Sequence, residues 1–114
     1  MHFLNLRHPQ EAVDFPTAVR RGLGRDRGLF FPERVPVLDD VAAALAQPFQ
    51  DRSALILSRL TGLDEQALRA IVRRAFDFPL EQRSLGDGIH ALELFHGPSL
   101  AFKDFGARFM GGCL

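Results

Sequence analysis

From Leu68 to Phe76 the apolar residues Leu68, Ile71, Val72, Ala75 and Phe76 fall three and four apart, with Arg69, Arg73 and Arg74 between them. That spacing predicts an amphipathic helix from Glu65 to about Phe76, its apolar stripe in a core and its arginine face in water. Asp64 stands where a helix N-cap belongs. The same pattern recurs earlier: Asp14 precedes Phe15, Ala18, Val19 and Leu23 at helical spacing, with Pro16 in the first turn and Gly22 and Gly24 as stops. Asp39 and Asp40 precede "VAAALA", a short helix ended by Pro48, and Ala54, Leu57 and Leu60 predict a helix from Ser53 to Leu60 closed by Gly62.

Alternation takes over elsewhere. "HFLNL" predicts a strand from Phe3 to Leu6, and "GRDRGLFFPERVP" reads as a loop, a brief strand around Leu29 to Phe31 and an exit. Asp77 to Gly88, with Pro79 and two glycines, reads as a linker or boundary. After it, "IHALELF" reads as a buried strand, "HGPSLA" as a tight connection, and "KDFGARFMGGCL" as a helix with Phe105, Phe109 and Met110 on one side. The fold class expected is α/β: a mostly helical part with short strands over residues 1–80, then a strand and a helix over 81–114. Ending on an apolar helix without a cap reads as truncation. The last strand and helix are accordingly expected to be exposed, mobile or covered by another copy, with self-association as the consequence.

Composition narrows the function classes. With 114 residues, 46% of them hydrophobic, one modest core is expected. Fourteen basic residues balance fourteen acidic ones, so the footprint of a nucleic-acid or anionic-membrane binder is missing and small-molecule partners are favoured. The single cysteine, Cys113, excludes an internal disulfide and fits a reducing cytosol. No apolar run approaches a membrane span and the first ten residues lack a signal-peptide core, so the expected location is cytoplasmic.

Candidate chemistry centres on Lys103, set between Phe102 and Asp104 in "ELFHGPSLAFKDFGARFM". A lysine placed among Leu100, Phe102 and Phe105 at the start of a helix loses hydration of its charged form, and the positive end of the helix acts in the same sense. Both favour the neutral amine that condenses with an aldehyde. Asp104 opposes them by stabilising the ammonium, and a lysine that snorkels to solvent or pairs with Asp104 satisfies the same residues without any chemistry.

The segment "ELFHGPSLAFKDFGARFM" resembles the lysine-bearing segment of threonine synthases, pyridoxal-phosphate enzymes of fold type II. "FPTAVRRGLGRDRGLFFPERVP" resembles the N-terminal segment of the same family, so the likeness spans nearly the whole chain in the right order. The resemblance implies that residues 81–114 open the cofactor-binding domain. It implies that Lys103 carries pyridoxal 5'-phosphate as a Schiff base and then moves protons at the substrate carbons. The substrate it implies is O-phospho-L-homoserine, converted with water to L-threonine and phosphate. Phe102 would shape an apolar wall beside the ring, and Asp104 would orient the amine or hold the turn. Ser99 stands where the family more often has threonine, and Ala107 occupies a position often held by a small residue. The phosphate cradle and most substrate contacts of the family lie beyond the lysine, so residues 1–114 alone are expected to be inactive.

Two other readings stand beside this one: a non-catalytic interaction module with a surface Lys103–Asp104 pair, and a serine or threonine dehydratase of the same fold type. The N-terminal segment argues against the second. The histidines share no metal-ligand spacing, and no metal is expected. His96 reads as a turn residue hydrogen-bonded to backbone, with a place at the site rim as the lesser alternative. "GRDRG" reads as a solvated turn, and Ser99 has no general base beside it in sequence.

Overall fold

The computed structural model describes residues 1–114. Strands and helices follow in the order β1 (Phe3–Asn5), β2 (Ala12–Val13), α1 (Phe15–Arg21), β3 (Phe30–Pro32), α2 (Val41–Ala46), α3 (Phe49–Thr61), α4 (Glu65–Ala75), β4 (Glu81–Gly86), β5 (Ile89–Glu93) and α5 (Lys103–Cys113). The α/β class expected from the pattern is the class observed. No helix is long and apolar enough to cross a membrane.

The three predicted aspartate caps are all made. Asp14 accepts from Thr17 N, Asp40 from Ala43 N and Asp64 from Ala67 N, at 2.8–2.9 Å. Each satisfies one of the orphan N–H groups of a first helical turn. Gly62 ends α3 in the left-handed region at φ 75°, where an added side chain would also strike Met1. One helix begins earlier than its apolar spacing indicates: α3 starts at Phe49, with Pro48 as its N-cap residue. Pro48 therefore ends α2 and opens α3, since its fixed φ suits a helix start as well as it blocks a helix interior.

β1 is the centre of an antiparallel sheet in the order β2-β1-β3, pairing Phe3 with Val13 on one side and with Pro32 on the other. The loops around this small sheet are tied by Asn5, which is fully buried. Its Nδ2 donates to Glu11 Oε2 at 2.6 Å and to the Arg25 carbonyl at 3.0 Å, and its Oδ1 accepts from Arg7 N at 2.9 Å. A Cβ on Gly28 would lie 2.7 Å from Asn5 Cγ, so only glycine lets that loop close over the amide. "GRDRG" is thus a turn wrapped on a buried amide.

The apolar core lies between α3, α4 and α5. Ala54, Leu68, Val72, Ala75 and Phe76 are buried together, with Phe49, Leu57, Leu63, Ile71, Phe105 and Phe109 packed around them. The arginine face of α4 does more than meet water. Arg69 bonds Asp51 of α3 at 3.0 Å and Glu65 of its own helix at 2.8 Å, fastening one side of the pair.

Beyond α4 the structure departs from the expectation in two ways. Residues 77–88 contain more than a linker: Glu81–Gly86 forms β4 and pairs antiparallel with β5 around a turn at Asp87-Gly88, a recognised hairpin dipeptide. The strand "IHALELF" is therefore half of an exposed ribbon rather than a buried strand, with Leu85, Ile89 and Leu92 all mostly in solvent. A radius of gyration of 16.0 Å, against about 13 Å for a compact chain of this length, reflects this projecting hairpin. The terminal helix, in contrast, is neither loose nor free. Phe105 meets Phe78 at 4.8 Å, Phe76 at 5.5 Å and Phe49 at 6.3 Å, and Phe109 meets Phe76 at 6.5 Å. Such edge-to-face and tilted aromatic contacts fix a helix face as well as burying it.

Candidate functional site

Lys103 is the only lysine of the chain and the first residue of α5. It lies at the rim of an open apolar groove of about 570 Å³, walled by Leu80, Leu92 and Leu94 from the hairpin side and by Phe102, Phe105 and Met110 from α5. The volume is that of a small-molecule site. The desolvation expected from the sequence is not supplied by residues 1–114: Lys103 is exposed and Phe102 is 65% exposed. Helical geometry explains the difference, since at successive positions of a first turn Phe105 packs on the core as well as lining the groove, while Phe102 and Lys103 stand exposed beside it.

Asp104 makes no ion pair with Lys103. Its side chain turns back, is 8% exposed, and accepts from Ser99 N at 2.8 Å. It therefore holds the turn, one of the two roles open to it from sequence. Gly97 lies against the same carboxylate, and a Cβ there would come within 2.8 Å of Asp104 Cβ. Leu100 adopts φ 60°, a left-handed conformation that costs a non-glycine residue about 1–2 kcal/mol, and its N–H donates to the Gly97 carbonyl at 3.0 Å. Ser99 contributes its backbone N–H, and its hydroxyl has no hydrogen-bond partner within the chain.

His96 differs from its expected role. Its Nε2 lies 2.7 Å from Glu93 Oε2, a carboxylate rather than a backbone group, and Arg83 Nε donates to the other oxygen at 2.8 Å. His96, and after it Arg83, hold the Glu93 carboxyl below its ordinary range. Glu81 stands directly opposite Glu93 in the ladder, bringing the donor atoms of Glu81, Glu93 and His96 within 4.8 Å of one another. Both oxygens of Glu93 are already taken.

Arg108, which carries no signal in the sequence beyond its charge, is the polar fastener of α5. Its Nε donates to the Ala75 carbonyl at 2.9 Å, and one terminal nitrogen reaches the Arg74 carbonyl and Asp77 Oδ1, both at 2.8 Å. These are the free carbonyls at the end of α4, where a cation is favoured. Arg108→Ala is expected to lower stability by about 1–2 kcal/mol, read as a fall in the urea midpoint; an unchanged midpoint would show that the aromatic contacts hold α5 unaided.

A group held in this groove would meet one primary amine and an apolar wall. That donor set suits the aldehyde and ring of a pyridoxal-type cofactor; the lining offers no second cation for a phosphate.

Comparison with known proteins follows the same lines. A family described as "Threonine synthase N terminus" matches residues 2–76. Over its whole length the chain is similar to the threonine synthase of Haemophilus influenzae, at 50% identity, and to that of Escherichia coli, at 44%. It spans 27% and 28% of those two proteins, well under a third of their length. The crystal structure of threonine synthase from Escherichia coli superposes on all of this chain with a TM-score of 0.95. A PLP-bound threonine synthase from Brucella melitensis superposes on 98% of it with a TM-score of 0.85 at 29% identity, the chain covering 26% of that structure.

Proposed function

The chain belongs to the threonine synthase family, whose N-terminal region it matches, and from that premise we propose that Lys103 is the amine through which the protein holds pyridoxal 5'-phosphate. The observation that carries the reading is the position of Lys103, on the first turn of a packed helix and at the mouth of an apolar groove. The reaction we assign to the protein as a whole is conversion of O-phospho-L-homoserine and water to L-threonine and phosphate. The match over residues 2–76 supports a boundary near residue 80, with 81–114 opening the cofactor-binding domain, and favours this reaction over that of a dehydratase.

Lys103 would hold the cofactor through Nζ, and Phe102 would wall one side of the ring. Bound there, the cofactor supplies an electron sink for charge developing on the substrate carbons. Lys103 Nζ, once relieved of its carrier role, is the group of this chain placed to take and return protons at those carbons. Residues 1–114 by themselves offer no phosphate cradle in the groove and are expected to show no turnover. Their exposed apolar wall also favours self-association, which sedimentation should reveal as a mass rising with concentration.

The test uses the protein expressed from its complete gene, incubated with pyridoxal 5'-phosphate at pH 7 and reduced with borohydride. An ordinary lysine is outcompeted by a terminal α-amine at this pH by roughly a hundredfold or more, because its reference pKa is about 10.4 against about 8. Label on Lys103 in excess of label on the Met1 amine, lost in Lys103→Ala, supports the assignment. Label confined to the terminal α-amine or to a lysine outside residues 1–114 overturns it.

A further inference from the structure

We propose that Asp104 is a positioning residue for Lys103, its carboxylate clamping the turn Gly97–Leu100 to the first turn of α5 so that the amine is presented at a fixed place on the groove. The inference rests on the reading of Lys103 as the carrier amine and adds to it the group that aims that amine.

Three observations converge on the clamp. The first is that α5 lacks a side-chain cap: Phe102 occupies the N-cap position and makes no capping bond. The start of the helix is held instead by short-range backbone bonds of 3.2 and 3.3 Å, from Asp104 N to the Ala101 carbonyl and from Phe105 N to the Phe102 carbonyl. A helix end held this way frays unless something else ties it down.

The second is that the only side-chain bond from this turn to the preceding chain is the one from Asp104 to Ser99 N. Asp104 is buried yet has no cationic partner, an arrangement that costs free energy unless the Ser99 N–H and the helix dipole offset the loss of water. The third lies on the opposite side. Gly97 is buried against the carboxylate with no room for a methyl group, and Leu100 is kept in a strained left-handed conformation between them. Strain of this kind persists only where its surroundings determine the backbone from both sides, and it gathers at functional turns. Lys103, by contrast, has no side-chain partner that would orient it. Whatever precision its amine has must come from the backbone beneath it, and that backbone is set by Asp104.

The experiment measures the ratio of borohydride-fixed pyridoxal label on Lys103 to that on the Met1 amine in the protein expressed from its complete gene. Met1 serves as an internal reference for labelling efficiency, and each variant must keep the wild-type far-ultraviolet dichroism and urea midpoint, because an unfolded Lys103 would lose to the terminal amine. Asp104→Ala is expected to lower the ratio at least tenfold. Asp104→Asn keeps an oxygen able to accept from Ser99 N and should recover most of the loss. Gly97→Ala, which crowds the clamp from the other side, should reproduce Asp104→Ala and provides a second route should that variant fold poorly. A ratio unchanged in Asp104→Ala and in Gly97→Ala overturns the clamp, as does equal loss in Asp104→Ala and Asp104→Asn, which would assign the effect to charge. A wild-type protein without label on Lys103 would fail at the earlier step, the carrier role of Lys103, and leave no amine for Asp104 to position.

Discussion

Leu68→Ala is expected to lower the unfolding free energy by about 3–4 kcal/mol, the largest loss from any single truncation in the helical core. Leu68 has no exposed surface and sits among Ala54, Val72 and Ala75, small side chains that cannot move far enough to fill the space left behind. A domain of this size holds about 5–15 kcal/mol in all, and this one buries only 13 of its 114 residues, so its reserve is expected at the low end. Chemical denaturation followed by far-ultraviolet dichroism reads the effect directly. A loss below about 1 kcal/mol would mean that α3 and α4 close up over the cavity, and that the packing is more adaptable than the fully buried Leu68 indicates.

Asn5→Ala is expected to cost about 2–4 kcal/mol and to loosen a different part of the molecule. The amide bonds three separate chain segments, and removing it strands Arg7 N and takes one donor each from the Arg25 carbonyl and Glu11 Oε2, in a space closed by Gly24 and Gly28. Protection of the amides at residues 5–8 and 24–28 against hydrogen exchange should fall well before that of α4. Acid sensitivity gives a second readout. Glu11 is held from the ordinary 4.5 down to about 2, first by the Asn5 amide, then by the Arg25 N–H and by Arg21. A depressed carboxyl stabilises the fold fully above the unfolded value. Its contribution declines between about pH 4.5 and about pH 2, where the unfolded chain takes a proton that the folded chain refuses. The wild-type urea midpoint should fall across that window, and the fall should be shallower in Asn5→Ala, which lacks the largest cause of the shift. Parallel slopes in the two proteins would contradict the assignment of Glu11 to Asn5.

The local part of this architecture could be read from side-chain spacing. Asp14, Asp40 and Asp64 cap the helices they precede, and the apolar stripe of α4 points where a period of 3.6 puts it, because caps and stripes depend on residues within one turn of each other. The hairpin was legible only in part: Asp87-Gly88 announces a turn, but β4 carries Glu81, Gln82, Arg83 and Ser84, and no alternation marks it as a strand. Its partner supplies what its composition does not. The partner of His96 is not legible in the sequence, because Glu93, three residues before it, is brought within reach by an irregular segment rather than by a regular element.

What the linear order of residues determined, then, was the set of helices, every end but the start of α3, and the motif around Lys103. Short-range geometry is enough for those. Tertiary structure alone decided that Arg108 would close the end of α4, that Phe105 would pack against Phe76 and Phe78 while Phe102 stayed exposed, and that Asp104 would turn from its neighbour Lys103 to the Ser99 N–H. Each of those choices is made by a partner that only folding brings alongside, over 30 residues away for Arg108 and across a reversal of the chain for Asp104. A side chain with several possible partners takes the one that the packed backbone places at hydrogen-bonding or van der Waals distance, and the sequence order does not rank them.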